Sequence, residues 1–232
     1  MKTSFDQYAE QYDSWFIANP NVLLSEVRLV AEVLEGGKKI LSVGCGSGLF
    51  ESIMAKDFGI KVTDGIEPAA PMAEIARKRG MNVTVATAEE ADYGRQQYDT
   101  IVFNGSPGYI KGLEEVVKKV YDALPEGGRL ILIDIPKESG YGTLYNLAKA
   151  LGTWDHPMLD GVRPRLPYPI EFVNAASWRT TAEKEEMCRK AGFSSISFMQ
   201  TLTTHPLYSD DRAEMPSEGC DRGDYVATIA VK

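Results

Sequence analysis

Apolar positions change their period several times along the chain. Over residues 6–16 they recur at helical spacing, with Phe5, Tyr8, Tyr12, Trp15 and Phe16 as the bulky members, and Asn19-Pro20 breaks the run. Val22, Leu23, Val27, Val30, Ala31 and Leu34 then share one stripe, which predicts an amphipathic helix over 22–34, stopped by Gly36-Gly37. Short continuous apolar runs follow. They predict strands at 39–43, 61–67, 82–86, 98–104 and 129–135, with helices at 49–58, 70–79 and 113–124 between them. The pattern beyond residue 136 differs. It predicts a helix over 143–151, a proline-rich aromatic segment over 154–172, a helix over 182–191 ended by Gly192, and late strands at 194–203 and 225–231.

Strands that alternate with helices imply a parallel sheet covered on both faces, because each crossover lays its helix on the sheet. The fold class expected is therefore α/β: a doubly wound Rossmann-like sheet, mostly parallel with a C-terminal antiparallel strand, plus N-terminal helices and a lid insertion. A length of 232 residues suits a single domain. Within it we expect a helical cap (1–36), a cofactor-binding core (37–136), a lid or substrate segment (137–180) and a C-terminal helix with strands (181–232).

Charge and cysteine usage narrow the function classes. The formal net charge of −8 argues against a nucleic-acid partner, which needs a basic footprint. The run Arg77-Lys78-Arg79 reads as the solvated end of a helix. Three scattered cysteines, Cys45, Cys188 and Cys220, form no metal or disulfide pattern, so no metal is expected. No apolar signal core follows Met1 and no stretch reaches membrane-spanning length. The expectation is a cytoplasmic protein without membrane insertion.

The chemistry concentrates where the first strand runs into Gly44-Cys45-Gly46-Ser47-Gly48. Glycines there let the backbone turn tightly and approach a ligand. Open α/β sheets bind ligands at the carboxyl ends of their strands, so four turns should converge: Gly44–Gly48, Glu67-Pro68, Thr87-Ala88-Glu89-Glu90 and Asn104–Tyr109. Glu67, about twenty residues past the glycines, is placed to accept hydrogen bonds from ribose hydroxyls. A dinucleotide fingerprint needs a third glycine where Leu49 stands, which disfavours an NAD-dependent oxidoreductase.

The G-x-G-x-G spacing and its surroundings, from about Phe5 to Pro136, resemble motif I of the class I S-adenosylmethionine (SAM) dependent methyltransferases, in particular the small-molecule, ubiquinone/menaquinone-biosynthesis type. The resemblance implies SAM as cofactor and a small-molecule methyl acceptor. It implies cofactor contacts from Gly44, Cys45, Gly46, Gly48, Glu67, Pro68, Ala88, Glu89 and Asn104, with Tyr8 and Tyr12 covering the methionine moiety. Ala88 and Glu89 would sit at the adenine edge and Asn104 at the methionine end. Two positions depart from the family: Thr87 where Asp is common, and Ser42 where an acid is common. These keep a SAM-binding regulatory or non-catalytic protein as the alternative.

Methyl transfer by in-line displacement needs a base only if the acceptor must lose a proton. His156, Tyr109 and Asp134 are the candidates, with His205 behind them. The stretch 154–178 joins Trp154, Tyr168, Phe172 and Trp178 to Arg163 and Arg165. It is expected to wrap an apolar acceptor and clamp an anion, or to form a homodimer contact.

Overall fold

The computed structural model describes the backbone from Phe5 to Lys232 and the side chains from Gln11. Tyr8, one of the residues expected to cover the cofactor, lies outside the described side chains. The chain opens with two helices, α1 (Phe5–Ala18) and α2 (Pro20–Leu34). It continues as β1 (Ile40–Val43), α3 (Leu49–Ile53), β2 (Asp64–Ile66), α4 (Ala70–Lys78), β3 (Asn82–Thr84), β4 (Thr100–Asn104), α5 (Leu113–Ala123) and β5 (Arg129–Asp134). The last part holds α6 (Gly140–Leu151), α7 (Ile170–Ala175), α8 (Thr181–Ala191), β6 (Ser195–Thr201), β7 (Ser217–Glu218) and β8 (Tyr225–Val231).

The strands form one sheet in the order β3-β2-β1-β4-β5-β8-β6-β7. The first five pair in parallel. Then β8 runs antiparallel between β5 and β6, and β7 closes the edge. The direction of winding reverses between β1 and β4, so the loops after these strands part and leave a crevice there.

Alternation along the central strands sets the two cores. Ile101, Phe103, Leu130 and Leu132 point to the α5–α8 side, whereas Val102, Ile131 and Ile133 point to the α2–α6 side. Strand β2 is shorter than its apolar run because it pairs over only three residues with β1 and three with β3. The helix after β1 loosens into a π turn over Met54–Phe58. Helix α6 begins three residues before the predicted start. Gly140 and Gly142 hid its first turn, and Ser139 caps it by accepting the Gly142 N–H at 3.1 Å.

The aromatic segment of 154–178 is ordered and turned inward. Trp154, Tyr168, Phe172 and Trp178 are all buried. Tyr168 packs edge-on against Trp15 (centroids 4.9 Å apart), and Trp154 packs on Tyr145 (5.7 Å). The Trp154 indole N–H donates to the Tyr168 carbonyl at 2.8 Å. Helices α1 and α6 therefore hold this segment over the carboxyl ends of the strands. Among the described residues no helix is long and apolar enough to cross a membrane.

Candidate active site

The glycine turn after β1 is built from three residues at positive φ: Gly44 (70°), Gly46 (58°) and Gly48 (71°). The N–H groups of Gly44 and Cys45 both donate to the Ile66 carbonyl, at 2.7 and 3.1 Å, which ties the turn to β2. Gly44 has a second constraint. A Cβ there would lie 2.5 Å from the Ser106 Cβ. The turn after β4 approaches that closely because Ser106 Oγ donates to the Val43 carbonyl at 2.7 Å. Gly44→Ala is expected to cost about 2–4 kcal/mol, from strain and clash together, read as a lower urea midpoint. An unchanged midpoint would show that the two turns have room to separate.

These three glycines do not share one role. Gly44 and Gly46 line a cavity of about 660 Å³, whereas Gly48 and Cys45 do not. Gly48 gives α3 room against α4, where a Cβ would meet Ala76 Cβ at 3.2 Å, and against Met81 beyond that helix, whose Sδ would lie at 2.8 Å. Cys45 is packed with Ala73, Ala76 and Met81, and burial pushes its thiol pKa well up. Ser42 faces the α3 side of β1 and donates to buried Glu51 at 2.7 Å, away from the cavity.

Glu67 is 5% exposed and stands at the end of β2 on the cavity wall. One carboxylate oxygen accepts from Gly46 N at 2.9 Å and the other from Ala69 N at 2.8 Å. A carboxylate can accept up to about four hydrogen bonds, and its two oxygens match the spacing of a pair of adjacent hydroxyls. Pro68, Thr87, Ala88 and Glu89 continue the wall beside it, and Asn104 lies across it. Asn104 Oδ1 accepts from the Tyr225 hydroxyl at 2.8 Å, which leaves its amide N–H₂ as the donor end. A glycine turn, a buried carboxylate at the second strand end and an apolar ledge at Ala88 fit an adenosyl group.

Helix α1 lies across the turn. Arg79, from the basic run at the end of α4, is not a solvated charge. Its guanidinium donates to Asp13 Oδ2 at 2.7 Å and to the Ser47 carbonyl at 2.8 Å, and Ser47 Oγ donates to Asp13 Oδ1. This three-way tie brings Tyr12 to the cavity wall above Gly46. Tyr12 also packs edge-on against Phe16 at 5.1 Å, so it serves both core and cavity.

The other end of the same cavity is aromatic. Tyr12, Trp15, Phe16, Tyr109, Tyr145, Tyr168, Trp178 and Tyr225 line it, together with two carboxyl groups, Glu26 and Asp134. Asp134 is 2% exposed, and Oδ1 accepts from Ile135 N at 2.8 Å. Burial raises its pKa to about 6, against the opposing pull of Lys184, the Ile135 and Gly108 N–H groups and Arg179. Lys184 on α8 is itself fully buried with no hydrogen-bond partner for Nζ among the described residues, and burial lowers its pKa.

Three expectations are corrected here. His156 does not reach the cavity: its Nδ1 accepts from Met158 N at 3.2 Å and starts a short turn. His205 does the same for Leu207 N. Arg163 and Arg165 clamp no anion in the cavity, because their guanidinium groups pair with Asp155 and Asp211 at the surface. Of the base candidates, Tyr109 and Asp134 line the cavity. Sequence reasoning missed Glu26, whose signal was a lone charge on the buried stripe of α2, between Val22 and Val30. It also missed Tyr225 and the Asp13–Arg79 tie, for which nothing local gives a sign.

Comparison with known proteins agrees with this geometry. A Thermotoga maritima SAM-dependent methyltransferase, described as a possible histamine N-methyltransferase, superimposes with a TM-score of 0.83 at 28% identity, covering 99% of this chain and 98% of its own. An uncharacterized protein of Methanocaldococcus jannaschii is 28% identical over 98% of both chains. A malonyl-[acyl-carrier protein] O-methyltransferase of Priestia megaterium is 24% identical over 56% of this chain and 49% of its own. The fold and cofactor end define a SAM-dependent methyltransferase. The chain belongs to the methyltransferase domain family, whose model matches residues 15–197.

Proposed function

We propose that this enzyme methylates a small molecule held in the aromatic end of the cavity. One observation carries the reading: the residues suited to SAM and the aromatic chamber line a single continuous cavity. SAM supplies, when bound, a methyl group already activated on a sulfonium. The residues Gly44, Gly46, Glu67, Pro68, Ala88, Glu89 and Asn104 would hold it, with Tyr12 above. Tyr145, Tyr168 and Trp178 orient the acceptor and exclude water, which is most of what such a displacement asks of a protein. With SAM bound there, the acceptor's lone pair would take the methyl carbon and the carbon–sulfur pair would return to sulfur. Asp134 is the group we assign to take the acceptor's proton. Residues 137–180 form the acceptor-binding segment, within one domain spanning 1–232.

The relatives' names point to different acceptors, so the acceptor class rests on the chamber's own residues. The test is turnover. Purified protein is incubated with SAM and a panel of small amines, alcohols, thiols and acids, and both S-adenosylhomocysteine release and acceptor mass are followed. A gain of one methyl on a panel member supports the reading; SAM binding with no transfer to any of them favours a sensor. The three free thiols suit a reducing compartment, and the cytoplasm is the location we assign.

A further inference from the structure

The geometry points to an amine as the acceptor, its cationic group seated among the ring faces of the chamber with the Glu26 carboxylate as counter-ion. This rests on reading the cavity as a methyl-transfer chamber.

Glu26 is the reason. It sits in the middle of α2, 6% exposed, on a face it shares with Val22, Leu29 and Val30. It lines the cavity, and among the described residues its carboxyl group makes no hydrogen bond and no ion pair. The titratable groups around it are the phenols of Tyr12 on α1, Tyr141 and Tyr145 on α6, and Tyr225 on β8. None of these carries a positive charge. An isolated carboxylate buried in this way costs several kcal/mol unless a cation meets it, and a hydrocarbon side chain of similar size would pack here at no such cost. Burial alone lifts the Glu26 pKa to about 8. At neutral pH a proton keeps it uncharged, and among the described residues no protein cation meets it, so a cationic ligand is the remaining partner that would ionise it.

The rest of the chamber has the same preference. Asp134 adds a second carboxyl, and among the described residues no lysine, arginine or histidine lines the aromatic end; Lys111, the basic residue among the described ones on the cavity wall, is exposed on the Ile110 turn. An acidic acceptor would face two carboxyl groups, of which Asp134 has Lys184 and Arg179 behind it and Glu26, among the described residues, has no cation. Among the rings, the Trp15 indole N–H is already given to the carbonyls of Leu166 and Pro167, at 3.1 and 3.0 Å, which leaves that ring its π surface. Ring faces attract an ammonium group, most strongly where water is excluded. A neutral hydroxyl compound would gain from the rings but has no use for a lone acid.

The test is calorimetric binding in the presence of S-adenosylhomocysteine, with probes matched in shape. Phenylethyl, imidazolylethyl and butyl compounds are each compared as amine, alcohol and carboxylate. At pH 7 the amine of at least one series is expected to bind ten-fold or more tighter than its alcohol, and the carboxylate to bind weakest. Amine binding should also release close to one proton per site as Glu26 ionises, read from heats in buffers of different ionisation enthalpy. Glu26→Gln should lose at least ten-fold in amine affinity and abolish the proton release. It should leave S-adenosylhomocysteine affinity unchanged, and its melting temperature at pH 8 should be equal or higher. Glu26→Met repeats the affinity and melting tests with an apolar side chain. Equal binding of amine and alcohol, binding led by the carboxylate, or no binding of any probe overturns the amine assignment. If the wild-type protein fails to bind SAM, the methyl-transfer reading itself falls.

Discussion

Glu67→Ala is expected to weaken SAM binding by about 100-fold or more, since two charge-assisted hydrogen bonds are worth roughly 3 kcal/mol together. Titration calorimetry with SAM and S-adenosylhomocysteine reads this directly. The loss has two sources. The ribose hydroxyls lose their acceptor, and the Gly46 and Ala69 N–H groups lose theirs at 2.9 and 2.8 Å. The second source also loosens the turn that cradles the cofactor, so some loss of folding stability should accompany the loss of affinity. Glu67→Gln separates the two in part, because its single carbonyl can still satisfy one amide. Unchanged affinity in both variants would remove Glu67 from the cofactor site.

The second large effect is expected at Asp134. Asp134→Asn should lower kcat by about 10²–10⁴-fold if its carboxylate takes the acceptor's proton. The wild-type rate should climb with pH through about 6, where Asp134 ionises, and this limb should be missing in the variant. Stability should move the other way. The folded pKa lies above the ordinary value of 3.8, because burial penalises the charge. Folding therefore loses stability as pH rises from about 4 to about 6, and the deficit persists above that. Over this interval it amounts to about 3 kcal/mol, so the Asn variant should melt higher at pH 7 and no higher at pH 4. A kcat that stays at the wild-type level would leave the proton to solvent or to Tyr109.

Glu26 and Asp134 share this character. Each is a buried carboxyl that the protein leaves under-compensated, and each lowers stability at neutral pH, Asp134 by holding a charge inside the chamber and Glu26 by holding a proton there until a cation meets it. Lys184 softens the cost at Asp134 from behind. Nothing comparable stands behind Glu26, which is why its counter-ion is sought in the ligand.

Much of this molecule was legible before any coordinates. Strand and helix periodicity placed β1 to β5 and their helices to within a few residues, because each buries one regular face against the sheet. The glycine spacing and Glu67 pointed to the cofactor end because both lie at a strand's carboxyl end, a place that topology alone assigns. The acceptor end was not legible in this way. Its lining comes from α1, α2, α6, the segment 154–178 and β8, which lie up to about two hundred residues apart in the chain. His156 and Arg163 carried the right chemistry for a site, yet each is spent on a neighbour in its own loop. Glu26, within a stripe that reads as core, became conspicuous only once packing showed that, among the described residues, no cation or hydrogen-bond partner meets its carboxyl group. The local pattern thus determined the sheet and the turn, since those follow from backbone periodicity and strand ends, while the cofactor was implied by the resemblance of that turn to motif I of the SAM-dependent methyltransferases. Tertiary structure alone decided which side chains face the acceptor, since burial and the pairing of charges depend on residues that meet only when the chain is folded.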